Sequence, residues 1–176
     1  MTVTQAAKAQ QFRALHDAPD AFVVANVWDG GSARMMAALR FAALATSSGA
    51  SAGLLGRRDG RVTRDEALAQ ARVICDATDL PVSADLEKGF GDAPEIVAET
   101  IRLAAEAGLV GCSIEDATGR NDDPIDDAAL AAERVAAAVD PELTGDPTCL
   151  LRARHGRLAY SRRNAFISGV ASEVSI

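Results

Sequence analysis

The sequence has little cysteine and no long apolar run, and both shortages narrow the class of protein. Its 176 residues include three cysteines, Cys75, Cys112 and Cys149, which are far apart and lack metal-ligand spacing. We therefore expect buried, reduced thiols rather than a disulfide framework. No apolar run approaches the roughly 20 residues that span a bilayer, and no basic segment followed by an apolar one opens the chain. We expect a cytoplasmic protein without a membrane partner.

A surplus of positive charge is also missing. The formal net charge is -7, which argues against non-specific binding of nucleic acid, so no nucleic-acid partner is expected. Hydrophobic residues make up 48% of the chain and charged residues 24%, which is ordinary for a globular protein. A chain of this length and composition can form one domain with a real core.

Short apolar runs alternate with helical patterns over most of the chain. Thr63 and Glu66 form a capping-box pattern, and Asp123 with Pro124 predicts the start of the last helix. Alternation of this kind predicts a parallel sheet covered by helices, and four such units are half of an eight-stranded barrel. The predicted strands are 22–26, 41–45, 81–85 and 110–114, and the predicted helices are 4–16, 32–39, 63–78, 92–108 and 123–139.

The last part of the chain differs in composition. Residues 147–176 carry five arginines and one glutamate, and they show no sustained helical or strand period beyond a short strand pattern near 149–151. We therefore divide the chain into a partial (β/α) barrel domain over 1–146 and an atypical basic tail over 147–176. A non-homologous origin of this tail is a hypothesis.

Polar side chains follow the predicted strands where each strand ends. In α/β folds the carboxyl ends of the strands are where sites form. Taken singly, each residue has a plain structural explanation: Asp29 caps a helix, Asp59 pairs with an arginine, and Glu87 is solvated. The set comprises Asn26, Trp28 and Asp29 after the first strand, Thr46, Ser47, Ser48 and Asp59 after the second, Asp85 and Glu87 after the third, and Glu115 and Asp116 after the fourth.

Two of these carboxylates are harder to explain by structure alone. Asp85 and Glu115 end strands that should be buried on both faces, where an unpartnered carboxylate is costly. Mg²⁺ takes oxygen ligands and is typically held by one or two carboxylates together with water and substrate. Asp85, Glu87 and Glu115 are of the right type for such a site, although D-x-E spacing by itself is common.

Five segments together resemble the isocitrate lyase/phosphoenolpyruvate mutase superfamily. The resemblance covers roughly residues 10 to 139, through the fourth β/α unit, and its combination of motifs is specific. It implies the N-terminal half of a (β/α)8 TIM-type barrel. The segments are NVWDGGSAR at 26–34, LATSSGASAGLLGRRDG at 44–60, TRDEAL at 63–68, LPVSADLEKGFGDAPE at 80–95 and AEAGLVGCSIEDATG at 105–119.

The resemblance implies a Mg²⁺-dependent lyase or mutase, with Mn²⁺ as an alternative metal. Its substrate would be a small 2-oxo or 2-hydroxy carboxylic acid, and an enolate would form as a C–C or P–C bond is broken or made. Asp85 matches the metal-binding aspartate, and Glu87 and Glu115 match carboxylates that hold the metal's waters. Asp59 matches a catalytic loop aspartate. The candidate substrate-binding residues are Trp28, Thr46, Ser47, Ser48 and Asp85.

Two departures from the family pattern limit this reading. The region after the IED motif reads ATGRNDDPIDD and contains neither the cysteine nor the histidine of isocitrate and methylisocitrate lyases, so those activities are not expected. It also lacks the asparagine-rich gating sequence of a true phosphoenolpyruvate mutase. The family continues with four more units, one of which supplies a substrate-binding arginine, and neither Arg152 nor Arg154 is assigned to that role.

Two function classes therefore compete. The first is the Mg²⁺-dependent enzyme; the second is a catalytically inactive half barrel or an oligomerising module. In a half barrel the sheet face opposite the helices would carry apolar side chains such as Val24, Ala43, Val82 and Ile114. Exposing such a face is unfavourable, so a homo-oligomer is expected.

Overall fold

The computed structural model describes residues 3–120, 122–144, 150–154 and 165–166. Within these residues six strands form one sheet, in which every neighbouring pair is parallel and the spatial order follows the chain order. The parallel α/β architecture predicted from the sequence is confirmed. The strands are β1 (Val24–Asn26), β2 (Ala43–Ala45), β3 (Val82–Asp85), β4 (Gly111–Glu115), β5 (Leu150–Arg154) and β6 (Ala165–Phe166).

Helices lie between consecutive strands from β1 to β5, as expected for the crossover connections of a parallel sheet. The capping box of α4 is present: Thr63 Oγ1 accepts from the backbone N–H of Glu66, and the Glu66 carboxylate accepts from the backbone N–H of Thr63. Pro94 begins α5, as predicted. The helices are α1 (Gln5–Asp17), α2 (Gly30–Ala38), α3 (Ser48–Leu54), α4 (Arg64–Asp76), α5 (Pro94–Glu106), α6 (Ala128–Ala138) and α7 (Pro141–Thr144).

The predicted start of the sixth helix is wrong. Asp127, not Asp123, is the N-cap of α6, and its carboxylate accepts from the backbone N–H of Ala129 at 2.9 Å. Pro124 belongs instead to a loop closed on itself, because its carbonyl accepts from the backbone N–H of Thr118 at 3.0 Å. Asp123 pairs with Arg120 at 2.8 Å. Asp123 and Asp127 are both suitable N-cap residues. Asp123 and Pro124 are held in the preceding loop by the contacts above, so the helix begins after Asp127.

Two parts of the sheet and its connections go beyond the sequence patterns. The Gly- and Ser-rich segment after β2 contains α3, whose first turn is closed by the backbone N–H of Ser51 and the carbonyl of Ser47 at 2.9 Å. The strand pattern near 149–151 corresponds to β5, which pairs with β4 over its whole length, and β6 adds a sixth strand. Cys149 lies outside the described residues.

The main core lies between the sheet and the helices. Leu44, Val82 and Ile114 pack in it with Ile74 of α4 and Ile101 of α5. The assignment of Val82 and Ile114 to the opposite face is therefore wrong. Because side chains alternate along a strand, the opposite face receives their neighbours instead.

The opposite face of the sheet carries small and polar residues and is partly covered by α1. Phe12 of α1 is buried with Ala43 and Val110 in a second cluster. A Cβ on Gly111 would lie 2.5 Å from Phe12 Cε1, so the ring fits only because residue 111 has no side chain. The apolar surface that motivated the expectation of a homo-oligomer is thus smaller than the sequence suggested, and self-association stays a prediction.

The burial of the cysteines agrees with the expectation where it can be checked. Cys75 and Cys112 are both buried. Across the residues that the structure describes, no helix is both long enough and apolar enough to cross a membrane.

Candidate functional site

A cleft of ≈ 510 Å³ lies at the carboxyl ends of the strands, where the connections following β2, β3 and β4 meet. Asp59, Glu87 and Glu115 contribute three carboxylates to its wall, and each comes from a different connection or strand end. Ser48 of α3 and Lys88 also line it. The topology thus brings together carboxylates that are 28 or more positions apart in the chain.

Asp85 lies at the end of β3 with both carboxylate oxygens oriented by backbone groups. Its Oδ2 accepts from the N–H of Ser48 at 3.2 Å, and its Oδ1 accepts from the N–H of Glu87 at 3.0 Å. Each carboxylate oxygen has two lone pairs, so each retains acceptor capacity beyond these bonds. The carboxylate is therefore fixed in direction while it can still coordinate a cation.

Thr46, Ser47 and Ser48 form the turn from β2 into α3. Thr46 is buried, and its Oγ1 accepts from the backbone N–H of Asp85 at 3.1 Å. Ser47 is the N-cap residue of α3, but its side chain makes no capping hydrogen bond. Ser48 lines the cleft and donates its N–H to Asp85. This turn and the end of β3 are therefore held as one unit.

Asp59 lies in the loop between α3 and α4, and that loop is attached to both helices. A Cβ on Gly49 of α3 would lie 3.5 Å from Asp59 Oδ2, which shows how closely the carboxylate approaches the first turn of α3. Arg57 Nη1 contacts Glu66 Oε2 of α4 at 2.6 Å. The suggested ion pair between Asp59 and an arginine is absent from the ion pairs of the described residues.

Glu87 is surrounded by the other carboxylates of the site. Burial raises the pKa of Glu87 above its ordinary value, and the negative charges of Asp59, Asp85 and Glu115 raise that pKa further. Its backbone carbonyl accepts from the N–H of Glu115 at 2.8 Å, which joins the ends of β3 and β4. The four acidic residues therefore form one electrostatic group, and a cation would lower its repulsion.

The donor set fits a hard cation that keeps most of its water. In the described part of the chain, no three His, Cys, Asp or Glu side chains form a closed set of metal ligands. Mg²⁺ does not require one, because it is usually held by one or two carboxylates and several waters. The oriented carboxylate of Asp85, with Glu87 and Glu115 nearby, suits that kind of site.

Four of the candidates are absent from the residues that line the cleft: Trp28, Thr46, Ser47 and Asp85. Asp85 is nevertheless bonded to Ser48 of the cleft wall and to Thr46, whereas the backbone of Trp28 bonds to α2 and α4. The side chain of Trp28 is 44% exposed. Its backbone is well held, because its N–H donates to Ser32 Oγ at 3.1 Å and its carbonyl accepts from Gln70 Nε2. These contacts tie the end of β1 to α2 and α4.

Sequence reasoning missed one basic residue of the cleft. Lys88 lines the cleft, and its Nζ donates to Asp92 and to the carbonyl of Thr118, the latter at 3.3 Å. Arg154 is the last residue of β5 and stands opposite Glu115 in the β4–β5 register. Lys88 directly follows Glu87 in the sequence, and this position could have indicated it. The register of Arg154 could be read only from the pairing of β4 with β5.

Comparison with known proteins gives a consistent family. The model of the phosphoenolpyruvate phosphomutase family matches residues 12–170. The 2-methylisocitrate lyase of Escherichia coli K12 is 34% identical over 129 residues, which cover 69% of this chain and 43% of the enzyme. A crystal structure from Burkholderia cenocepacia J2315, classed as a lyase/mutase, is 53% identical with a TM-score of 0.82 and covers 86% of this chain and 55% of that one.

A more distant structure shares the fold. The phosphonopyruvate hydrolase crystallised with oxalate and Mg²⁺ is 21% identical with a TM-score of 0.78, over 88% of this chain and 53% of that one. The chain therefore spans about half the length of the relatives that it matches.

Proposed function

The chain belongs to the phosphoenolpyruvate phosphomutase family, and from this premise we propose that it is a Mg²⁺-dependent lyase or mutase. Its substrate would be a 2-oxo or 2-hydroxy carboxylic acid that reacts through an enolate, and Mn²⁺ would be an alternative metal. The observation that carries the proposal is the grouping of Asp59, Glu87 and Glu115 at one cleft, with the Asp85 carboxylate bonded to the backbone N–H of Ser48 in the cleft wall. The family favours this enzyme over the non-catalytic alternative.

In this proposal Asp85 is the direct carboxylate ligand, and Glu87 and Glu115 hold water around the metal. Bound there, Mg²⁺ would supply the positive charge that stabilises an enolate. The support is the orientation of Asp85 by two backbone N–H groups, at 3.2 Å and 3.0 Å, which fixes its carboxylate before anything binds. A carboxylate held in this way loses little freedom on coordination.

The turn formed by Thr46, Ser47 and Ser48 would hold the carboxylate of the substrate. The Thr46 hydroxyl accepts from Asp85 N–H, so its own proton remains to donate to an anion. The Ser47 side chain does not cap α3, which leaves its hydroxyl for the same task. Thr46 contacts Asp85 directly, and Ser47 lies in the chain between Thr46 and Ser48, which are both bonded to Asp85. This arrangement suits a substrate that touches the metal and the turn together.

Asp59 is the proposed catalytic carboxylate. It lines the cleft and comes from the loop between α3 and α4. Its role would be to accept or return a proton at the reacting centre.

The test is turnover of a panel of acids by the purified chain, followed by NMR with Mg²⁺ and with EDTA. The panel contains malate, oxaloacetate, phosphonopyruvate and 2-methylisocitrate. The last is expected to be inert because the segment directly after the IED motif, ATGRNDDPIDD, has no cysteine. A sample with metal but no protein corrects for spontaneous loss of oxaloacetate. Asp85→Asn should lower kcat/KM by roughly 100-fold or more.

The matched control is Asp65→Asn, which removes a carboxylate from a side chain that is 91% exposed. It should leave turnover unchanged. Equal rates with Mg²⁺ and with EDTA, or equal rates for Asp85→Asn and the unaltered chain, would contradict the proposed function.

A further inference from the structure

The segment 87–91, between β3 and α5, has an unusual backbone. Glu87 has φ 50°, Gly89 has φ 83° and Phe90 has φ 62°. The left-handed region is unfavourable for residues with a side chain, so Glu87 and Phe90 adopt it only where the surroundings impose it. Because Glu87 is one of these residues, whatever imposes this backbone also sets where its carboxylate lies.

Carbonyl groups of this segment are held one by one from outside it. The Glu87 carbonyl accepts from the N–H of Glu115 at 2.8 Å, and the Gly89 carbonyl accepts from Thr100 Oγ1 of α5 at 2.8 Å. The carbonyls of Lys88 and Gly91 both face Arg134 of α6, whose Nη2 donates to Lys88 and lies 3.4 Å from the oxygen of Gly91. A single guanidinium thus fixes the segment at two points.

Arg134 also holds the neighbouring loop. Its Nη1 pairs with the carboxylate of Asp126, and both side chains are almost fully buried, at 1% and 6% exposure. The N–H of Asp126 donates to the carbonyl of Asp116 at 2.8 Å, directly after Glu115. Arg134 therefore connects the two loops that carry Glu87 and follow Glu115.

Stability alone does not account for this guanidinium. A buried ion pair often contributes less than well-packed apolar residues of the same volume, because both charges lose their water. The Nε atom of Arg134 is buried without a hydrogen-bond partner among the described residues, which adds to that cost. The guanidinium instead fixes the orientation of the groups that it contacts, because its planar set of N–H donors fits two acceptors at fixed angles.

We propose that Arg134 is a positioning residue that holds segment 87–91 in its left-handed backbone and so directs Glu87 toward Asp85 and Glu115. Only one part of this inference rests on the proposed function, namely that the arrangement of Glu87, Asp85 and Glu115 binds a metal. The holding of the backbone is a separate property that can be measured without any metal.

The first measurement is hydrogen exchange of the metal-free protein. In the unaltered chain the N–H of Glu87 donates to Asp85 and the N–H of Gly89 donates to the Leu86 carbonyl at 2.8 Å, so both should be protected. Arg134→Met, which keeps the length and removes the charge, should lower their protection by roughly tenfold or more. Arg134→Lys should give a smaller loss, because an ammonium can replace one of the contacts but not the fork.

The second measurement is the affinity for Mn²⁺ alone, titrated by EPR at a temperature where all variants are folded. Arg134→Met should raise the Kd by about 10- to 100-fold, the usual effect of losing a residue that orients metal ligands. Phe12→Leu is the matched control, because Phe12 is also buried but lies in the other cluster, against Gly111. It should lower the melting temperature and leave the Kd unchanged.

The outcomes separate the two proposals. Unchanged protection of Glu87 and Gly89 in Arg134→Met would overturn the positioning role, and so would an unchanged Kd for Mn²⁺. If Arg134→Met does not fold, the same two criteria apply to Arg134→Lys. If the unaltered chain binds no Mn²⁺, the proposed function fails, and hydrogen exchange alone still decides the role of Arg134.

Discussion

The backbone N–H of Ser48 lies 3.2 Å from Oδ2 of Asp85, so the first turn of α3 is bonded to the end of β3. The two residues are 37 positions apart in the chain. This bond explains how a short, Gly- and Ser-rich helix keeps a fixed place beside the carboxylates. It also means that a change at Asp85 affects the turn that contains Thr46 and Ser47.

Asp85 provides the first prediction. Mg²⁺ or Mn²⁺ at about 100 times its Kd should stabilise the native chain by about 2.7 kcal/mol, because the metal binds only the folded state. Asp85→Ala should abolish this gain, and Asp65→Ala should retain it. The measurement is the melting temperature across a metal titration. A flat titration of the unaltered chain would refute the metal site.

The second prediction concerns acid pH and Glu66. The hydrogen bond from Arg57, followed by the bonds from Thr63, lowers the pKa of Glu66 from 4.5 to about 2. A lowered folded-state pKa gives stability that is present above the unfolded value and is lost as pH falls through the folded value. The unfolding free energies of the unaltered chain and Glu66→Gln should therefore converge between about pH 4.5 and about pH 2.

Urea unfolding at several pH values checks this convergence. Asp65→Asn is the control, since Asp65 neighbours Glu66 but is exposed and takes no part in the capping box. A gap between the unaltered chain and Glu66→Gln that persists unchanged to pH 2 would be inconsistent with the pKa of Glu66.

The third prediction concerns alkaline pH and Cys75. Burial raises the pKa of the Cys75 thiol from 9.0 to about 11. A raised folded-state pKa gives stability that is complete below pH 9.0 and is lost as pH rises through about 11. Iodoacetamide reacts with the thiolate, so Cys75 in the native chain should be alkylated far more slowly than in urea at the same pH. Mass spectrometry of the peptide containing Cys75 measures both rates, and equal rates would contradict burial.

The fourth prediction tests the contact between α1 and β4. Gly111→Ala places a Cβ against the Phe12 ring and should cost about 1–3 kcal/mol of unfolding free energy, the usual effect of overpacking. Phe12→Leu shortens the ring side chain, so the double variant should lose less stability than the sum of the single losses. Strict additivity would show that the two residues do not share the same space. Chemical denaturation of the unaltered protein, the two single variants and the double variant gives the unfolding free energies of this double-mutant cycle.

The strands were predictable from the sequence because a buried parallel strand has a simple signature. Residues 81–85 and 110–114 differ from the observed β3 and β4 by one residue at most at each end. The face of each side chain was not predictable, since shifting the alternation by one residue exchanges the two faces. Val82 and Ile114 were therefore assigned to the wrong side, although both strands were found.

The site divides in the same way. Asp59, Glu87 and Glu115 lie at or after the ends of predicted strands, and the parallel topology brings these ends to one edge of the sheet. Arg134 has no such signal, because it stands in an alanine-rich helix, AALAAERVAAA, where an arginine normally faces water. Its burial depends on carbonyl groups more than 40 positions away, which no local pattern contains.

The place of α1 has a consequence for the order of folding. Gln5 donates to the carbonyls of Ala105 and Leu109, 100 and 104 positions further along the chain, and Phe12 packs where Gly111 leaves room. The surface that receives α1 is incomplete until β4 has joined the sheet. During synthesis on the ribosome, three β/α units therefore form before α1 can complete its docking. Complete docking of α1 requires that β4 has already joined the sheet.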